Sequence, residues 1–123
     1  MKKDSSKTLP ACAHISLSRA RSILGETSVN EASQKFVTLF EHGTLKIELY
    51  EPIKGDFQTP HRQDEAYVIL DGTGIFEMGN ERVPFAPGDF LFVAAGVPHR
   101  FTQFGESMTT WVIFYGRDGG EPM

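Results

Sequence analysis

Cys12 is the only cysteine in the 123 residues, so no internal disulfide can staple the chain, which fits a reducing compartment. No recognisable activating neighbour marks that thiol as a nucleophile. Positive charge is sparse too: twelve Lys and Arg against sixteen Asp and Glu give a formal charge of −4. Beyond a small N-terminal cluster the basic residues are scattered, and without a basic stripe to neutralise a phosphate backbone, nucleic acid is not an expected partner. No apolar run reaches the roughly 18 residues of a membrane span. The basic opening Met1 to Ser6 leads into no continuous apolar h-region, so the expectation is a cytoplasmic protein with no membrane partner. Also missing are a GxSxG elbow, a phosphate-cradling glycine loop of the GKS type and a Cys/His zinc cluster. Neither an internal repeat nor a low-complexity tract occurs.

Rings and turn formers are plentiful. Ten Phe, three Tyr and one Trp accompany twelve Gly and seven Pro, and 40% of residues are hydrophobic. The length suits one domain with one core, and the mix suits short strands joined by tight turns, an all-β fold. Met1 to Lys7 is polar and is expected to fray. In SLSRARSILGE, Ser16 or Ser18 can cap a short helix that carries Leu17, Ala20, Ile23 and Leu24 at helical spacing and stops at Gly25. Thr27 to Gln34 is polar and ambiguous.

Strand patterns begin at Lys35. KFVTLFEHG and TLKIELYEP read as a hairpin around His42 and Gly43, and the second run alternates Leu45, Ile47, Leu49 with Lys46, Glu48, Tyr50. GIFEMGNERVPF reads as another hairpin, turning at Gly79 and Asn80. APGDFLFVAAGVPHRF gives a turn, a strand from Phe90 to Val93, a second turn around Gly96 to Pro98, and His99 at the start of the next strand. TTWVIFYG is apolar on both faces, which predicts a strand covered on both sides. About eight strands imply a closed or nearly closed double-sheet barrel over 35–116, preceded by an N-terminal arm with a short helix over 1–34 and followed by a patternless tail over 117–123.

The stretch Gly55 to Gly74, GDFQTPHRQDEAYVILDGTG, organises the rest. A helix would also bring His61 and Glu65 together, but Pro60, the β-prone Tyr67, Val68 and Ile69, and the following glycines favour a strand. An extended chain then places His61, Gln63, Glu65, Tyr67 and Ile69 on one face.

Two partial motifs make this chain resemble a small single-domain cupin. In the family's first motif, G(X)5HXH(X)3-4E(X)6G, Glu65 and Gly72 fit the second half. In its second, G(X)5PXG(X)2H(X)3N, Gly88, Gly96 and His99 fit, with Ala94 in place of Pro and Gln103 in place of Asn. The first motif departs. Taking His61 as its second histidine leaves Thr59 where the first should stand; taking it as the first puts Gln63 at the second.

The resemblance implies a cupin-type double-stranded β-helix, or jelly-roll barrel, with His61, Glu65 and His99 as metal ligands and Gln63 or a water filling the vacant place. Two imidazoles and a carboxylate suit Fe, Mn, Ni or Zn, and loss of one ligand leaves open that no metal is bound. The plainer reading of His99, beside Pro98, is a hydrogen bond to backbone; Glu65 inside an apolar barrel needs a partner or a raised pKa. Thr59, Tyr67, Phe101 and Gln103 are expected to line the pocket, while Arg62 and Arg100, of opposite parity, point away. A small-molecule substrate is implied for an enzyme, by dioxygen, isomerase or lyase chemistry; the alternative is a non-catalytic ligand-binding or sensing module. The two apolar faces of TTWVIFYG also predict a homodimer.

Overall fold

The computed structural model describes residues 11–29, 34–56 and 59–122, so the expected fraying of Met1 to Lys7 lies outside the described residues. Helix α1 (Leu17–Gly25) starts where Ser16, in extended backbone, accepts the Arg19 N–H on its hydroxyl at 3.0 Å; of the two candidate caps it is Ser16 that serves. Ala20 and Leu24 are its buried residues, and Leu17 is turned toward solvent.

Eight strands follow: β1 (Gln34–His42), β2 (Leu45–Pro52), β3 (Asp64–Asp71), β4 (Gly74–Met78), β5 (Glu81–Phe85), β6 (Phe90–Val93), β7 (His99–Thr102) and β8 (Thr109–Tyr115). They form two antiparallel sheets, ordered β1-β2-β8-β3-β6 and β5-β4-β7. This is the all-β jelly-roll architecture with one short helix that the sequence implied.

The period-two pattern of β2 divides its side chains between two environments. Leu49 faces outward and packs with Ala20 and Leu24 of α1, a cluster that Val37, Leu39 and Trp111 join. Tyr50, on the opposite parity, belongs to the core between the sheets, with Tyr67, Phe76, Phe101, Val112 and Phe114. The two-sided apolarity of TTWVIFYG has the same cause: Val112 and Phe114 enter the inner core while Trp111 lies under the helix. Gly72, after β3, has φ +94°, and a Cβ there would stand 2.8 Å from Met108 Cβ, so both backbone conformation and close packing require glycine.

The C-terminal tail, patternless in sequence, is tied down. Gly119 N donates to Arg62 O at 2.7 Å, Glu121 N to Asp64 Oδ2 at 2.9 Å, and Arg62 pairs with Asp118 at 2.9 Å. Among the described residues no helix is long and apolar enough to cross a membrane.

Candidate metal centre

The strand expected from His61 onward starts at Asp64, so His61 and Gln63 stand in the loop ahead of β3. Pro60 offers no N–H to a ladder, and the loop's groups are bonded elsewhere. His61 O accepts from Gly96 N at 2.8 Å, and Asp64 Oδ1 accepts from Ala95 N at 2.9 Å. Those two bonds stitch the His61 loop to the turn that delivers His99 at the start of β7. Asp64, absent from the sequence reading, carries two backbone N–H groups, from Glu121 and Ala95, which hold its pKa below the usual carboxylate value.

Three side chains converge. One ligand atom from each of His61, Glu65 and His99 lies within 4.8 Å of the others. His61 Nε2 is 3.6 Å from Glu65 Oε2, and His99 Nε2 is 3.1 Å from Glu65 Oε1. Glu65 is 1% exposed, His99 is buried and His61 half-buried.

The electrostatics of the His99 ring follow from its other nitrogen. Nδ1 lies 2.8 Å from Val97 O, and since a carbonyl only accepts, Nδ1 carries the ring hydrogen. Neutral His99 therefore aims the Nε2 lone pair at Glu65 Oε1, and among the described residues neither of these buried atoms has a hydrogen-bond partner. Two acceptors 3.1 Å apart need a proton or a cation between them. Burial lowers the His99 pKa, but the Glu65 carboxylate and the Val97 carbonyl outweigh it and the net shift is upward. For His61 burial is again the largest effect; Glu65 opposes it, His99 and Lys46 add to it, and the pKa falls.

A cavity of about 700 Å³ opens beside the cluster, lined by residues that include Lys46, Glu48, Tyr50, Arg62, Val112 and Phe114. Thr59 lies on it. Arg62, expected to point away, stands at its mouth beside Asp118, while Arg100 is outside and pairs with Glu77 at 3.1 Å. Gln63 is among the lining residues, but its amide donates to Thr44 O at 3.0 Å and Gly116 O at 2.8 Å, which commits it to holding loops together. Tyr67 and Phe101 have the expected inward parity, yet they lie deeper along the barrel, packed edge to face with ring centroids 4.9 Å apart. Both are buried, and neither reaches the cavity wall. Gln103 is exposed on a turn with φ +56° and lines a separate, smaller pocket.

Sequence reasoning missed Lys46, Glu48 and Tyr50 as pocket walls. The alternation in TLKIELYEP put them on one face, but a polar face normally looks to solvent, and only the cover that α1 gives the Leu49 face reverses that assignment. The donor set of two imidazoles and one carboxylate fits a transition metal with coordination positions left open, as Fe, Mn, Ni or Zn sites allow.

A model of the cupin domain family matches residues 48–115. An uncharacterized protein of Streptomyces coelicolor is 30% identical over 91 residues, covering 72% of this chain and 85% of that protein. Among solved structures, a cupin superfamily protein of Desulfitobacterium hafniense superposes with a TM-score of 0.62 at 18% identity, covering 90% of this chain and 97% of that one. A DMSP lyase structure gives 0.61 at 21% identity, covering 69% of this chain; the present chain spans 48% of that lyase's length.

Proposed function

Because this chain belongs to the cupin domain family, we propose that it binds a divalent transition metal through His61, Glu65 and His99 and acts there on a small organic molecule in the barrel lumen. The observation that carries this reading is the pair of buried, mutually facing acceptors, Glu65 Oε1 and His99 Nε2, at 3.1 Å. A bound ion would supply Lewis acidity for isomerase or lyase chemistry, or dioxygen chemistry if redox-active. The chain's own residues shape the site. Val97 O fixes the His99 tautomer and increases the basicity of Nε2. Val112 and Phe114 give the cavity an apolar wall that limits water. The lyase activity of one structural neighbour is compatible with this chemistry.

Elemental analysis of protein purified without added metal tests the proposal. The expected result is a near-stoichiometric transition metal that disappears in His99→Ala; a metal-free wild type overturns it. A second reading has one observation behind it: the upward shift of the His99 pKa lets a proton fill the gap, pairing an imidazolium with Glu65. The barrel would then be a non-catalytic ligand-binding or sensing module, and metal-free protein that still binds a small molecule would be its signature. The proposed assembly is a homodimer, favoured by Phe90 and Phe92, 65% and 44% exposed on the edge strand β6.

A further inference from the structure

Among the described residues of the cavity wall, Lys46 is the cation with the longer ion pair. At the mouth, Arg62 is compensated by Asp118 at 2.9 Å. Among the described residues Lys46 Nζ pairs with Glu48, whose Oε2 is 3.7 Å away, a long ion pair, and that same oxygen accepts the Thr38 hydroxyl at 3.3 Å. Burial is the largest influence on Glu48 and raises its pKa, against the opposing pull of Lys46 and Thr38. The ammonium also stands 5.1 Å from the centroid of the Phe114 ring, over its face. His61 packs against the same ring at 4.9 Å, with the planes 70° apart. One aromatic side chain thus touches the ammonium and a member of the His61–Glu65–His99 cluster.

We infer that the pocket takes a short-chain organic anion whose carboxylate is held by Lys46, with its other polar end directed toward the three-residue cluster. The inference rests on the proposed function and names its substrate class. A neutral molecule of the same shape leaves Lys46 with its long contact to Glu48, whereas a carboxylate accepts a direct charge-assisted hydrogen bond in a partly desolvated cavity. The Phe114 ring supplies apolar contact for the carbon chain between the two ends.

The test is calorimetric titration of zinc-reconstituted protein with lactate and succinate, and with lactamide and succinamide as neutral counterparts. Lys46→Met keeps the stem on Phe114 and removes the charge; Lys46→Arg restores it. The acids are expected to bind at least about tenfold more tightly than the amides, and Lys46→Met to remove about that factor, the worth of one charge-assisted hydrogen bond. Zinc content should stay unchanged in both variants, with Lys46→Arg recovering most of the affinity. Acids and amides binding alike, no acid binding, or acid affinity indifferent to Lys46→Met in zinc-loaded protein overturns the inference and leaves the metal reading standing. If the wild type holds no zinc but still binds the acids in a Lys46-dependent way, the metal reading falls and the substrate class survives.

Discussion

Glu65→Gln replaces one facing acceptor with a donor of nearly the same size, so its amide can hydrogen-bond the His99 Nε2 lone pair without a proton or cation between them. Metal content should fall at least about tenfold, because an amide is a far weaker ligand than a carboxylate. The stability of metal-stripped protein should hold or rise. Glu65→Ala leaves a cavity and an unpartnered ring nitrogen and should cost about 2–4 kcal/mol in a guanidinium titration. Equal losses for Gln and Ala would count against the facing-acceptor description. The two histidines also set opposite limbs of a pH profile for the stripped protein. His99, with a raised folded pKa, contributes stability present below its unfolded value of about 6.5 and lost as pH climbs through the folded pKa. His61, with a lowered folded pKa, favours the native state above about 6.5 and weakens it as pH falls toward the folded pKa. Denaturant midpoints of stripped protein should therefore peak near neutral pH, with His99→Ala flattening the alkaline limb and His61→Ala the acidic one. Glu65 and His99 were nameable as candidates because motif spacing survives around them, and His61 because it is the histidine nearest to Glu65 in the broken first motif. Gln63 was not separable from them, since two carbonyls brought within reach only by the fold, on Thr44 and Gly116, decide its role.

At the scale of elements, strand count, hairpins and the short helix were readable because alternation and turn residues are local properties. Facing was not. Whether Lys46, Glu48 and Tyr50 look inward depends on what covers Leu49, and that cover is α1, some twenty-five residues away in sequence. The helix and the inner wall of the site are therefore linked through one sheet. Leu24 is 4% exposed and packs against the outer face of that sheet, so Leu24→Ala should cost about 2–4 kcal/mol by large-to-small truncation. Metal content should remain that of the wild type, because no ligand sits on α1 or on the strand beneath it. A guanidinium titration paired with elemental analysis checks both halves, and loss of metal with little loss of stability would show that the helix acts on the site directly. The late start of β3 has a similar origin. Pro60 and the long-range bonds from Gly96 and Ala95 hold residues 61–63 in a loop that local propensity alone would extend into the strand.

For the whole molecule, a homodimer is proposed through a different surface from the one that the sequence suggested. Trp111, one apolar face of TTWVIFYG, is covered by α1. The exposed apolar side chains lie farther along the same outer sheet, where Phe90 and Phe92 on β6 stand opposite half-buried Val68 and buried Ala66 of β3, and half-buried Ile113 of β8 continues the row. β6 is also the sheet's edge, with no strand paired to its other side among the described residues. Burying this row against a second copy would remove two phenylalanine rings per chain from water, a favourable term of about 1.5–3 kcal/mol for each ring fully buried. A stable dimer needs about 800 Å² per partner, so the contact must extend from β6 onto the neighbouring outer sheet. Sedimentation velocity should show a dimer for the wild type. The double variant Phe90→Lys, Phe92→Lys, which places like charges across a twofold contact, should sediment as a monomer with metal content unchanged. A wild type that stays monomeric at high concentration refutes the pairing. A variant that stays dimeric moves the interface elsewhere and leaves the exposed phenylalanines to another use.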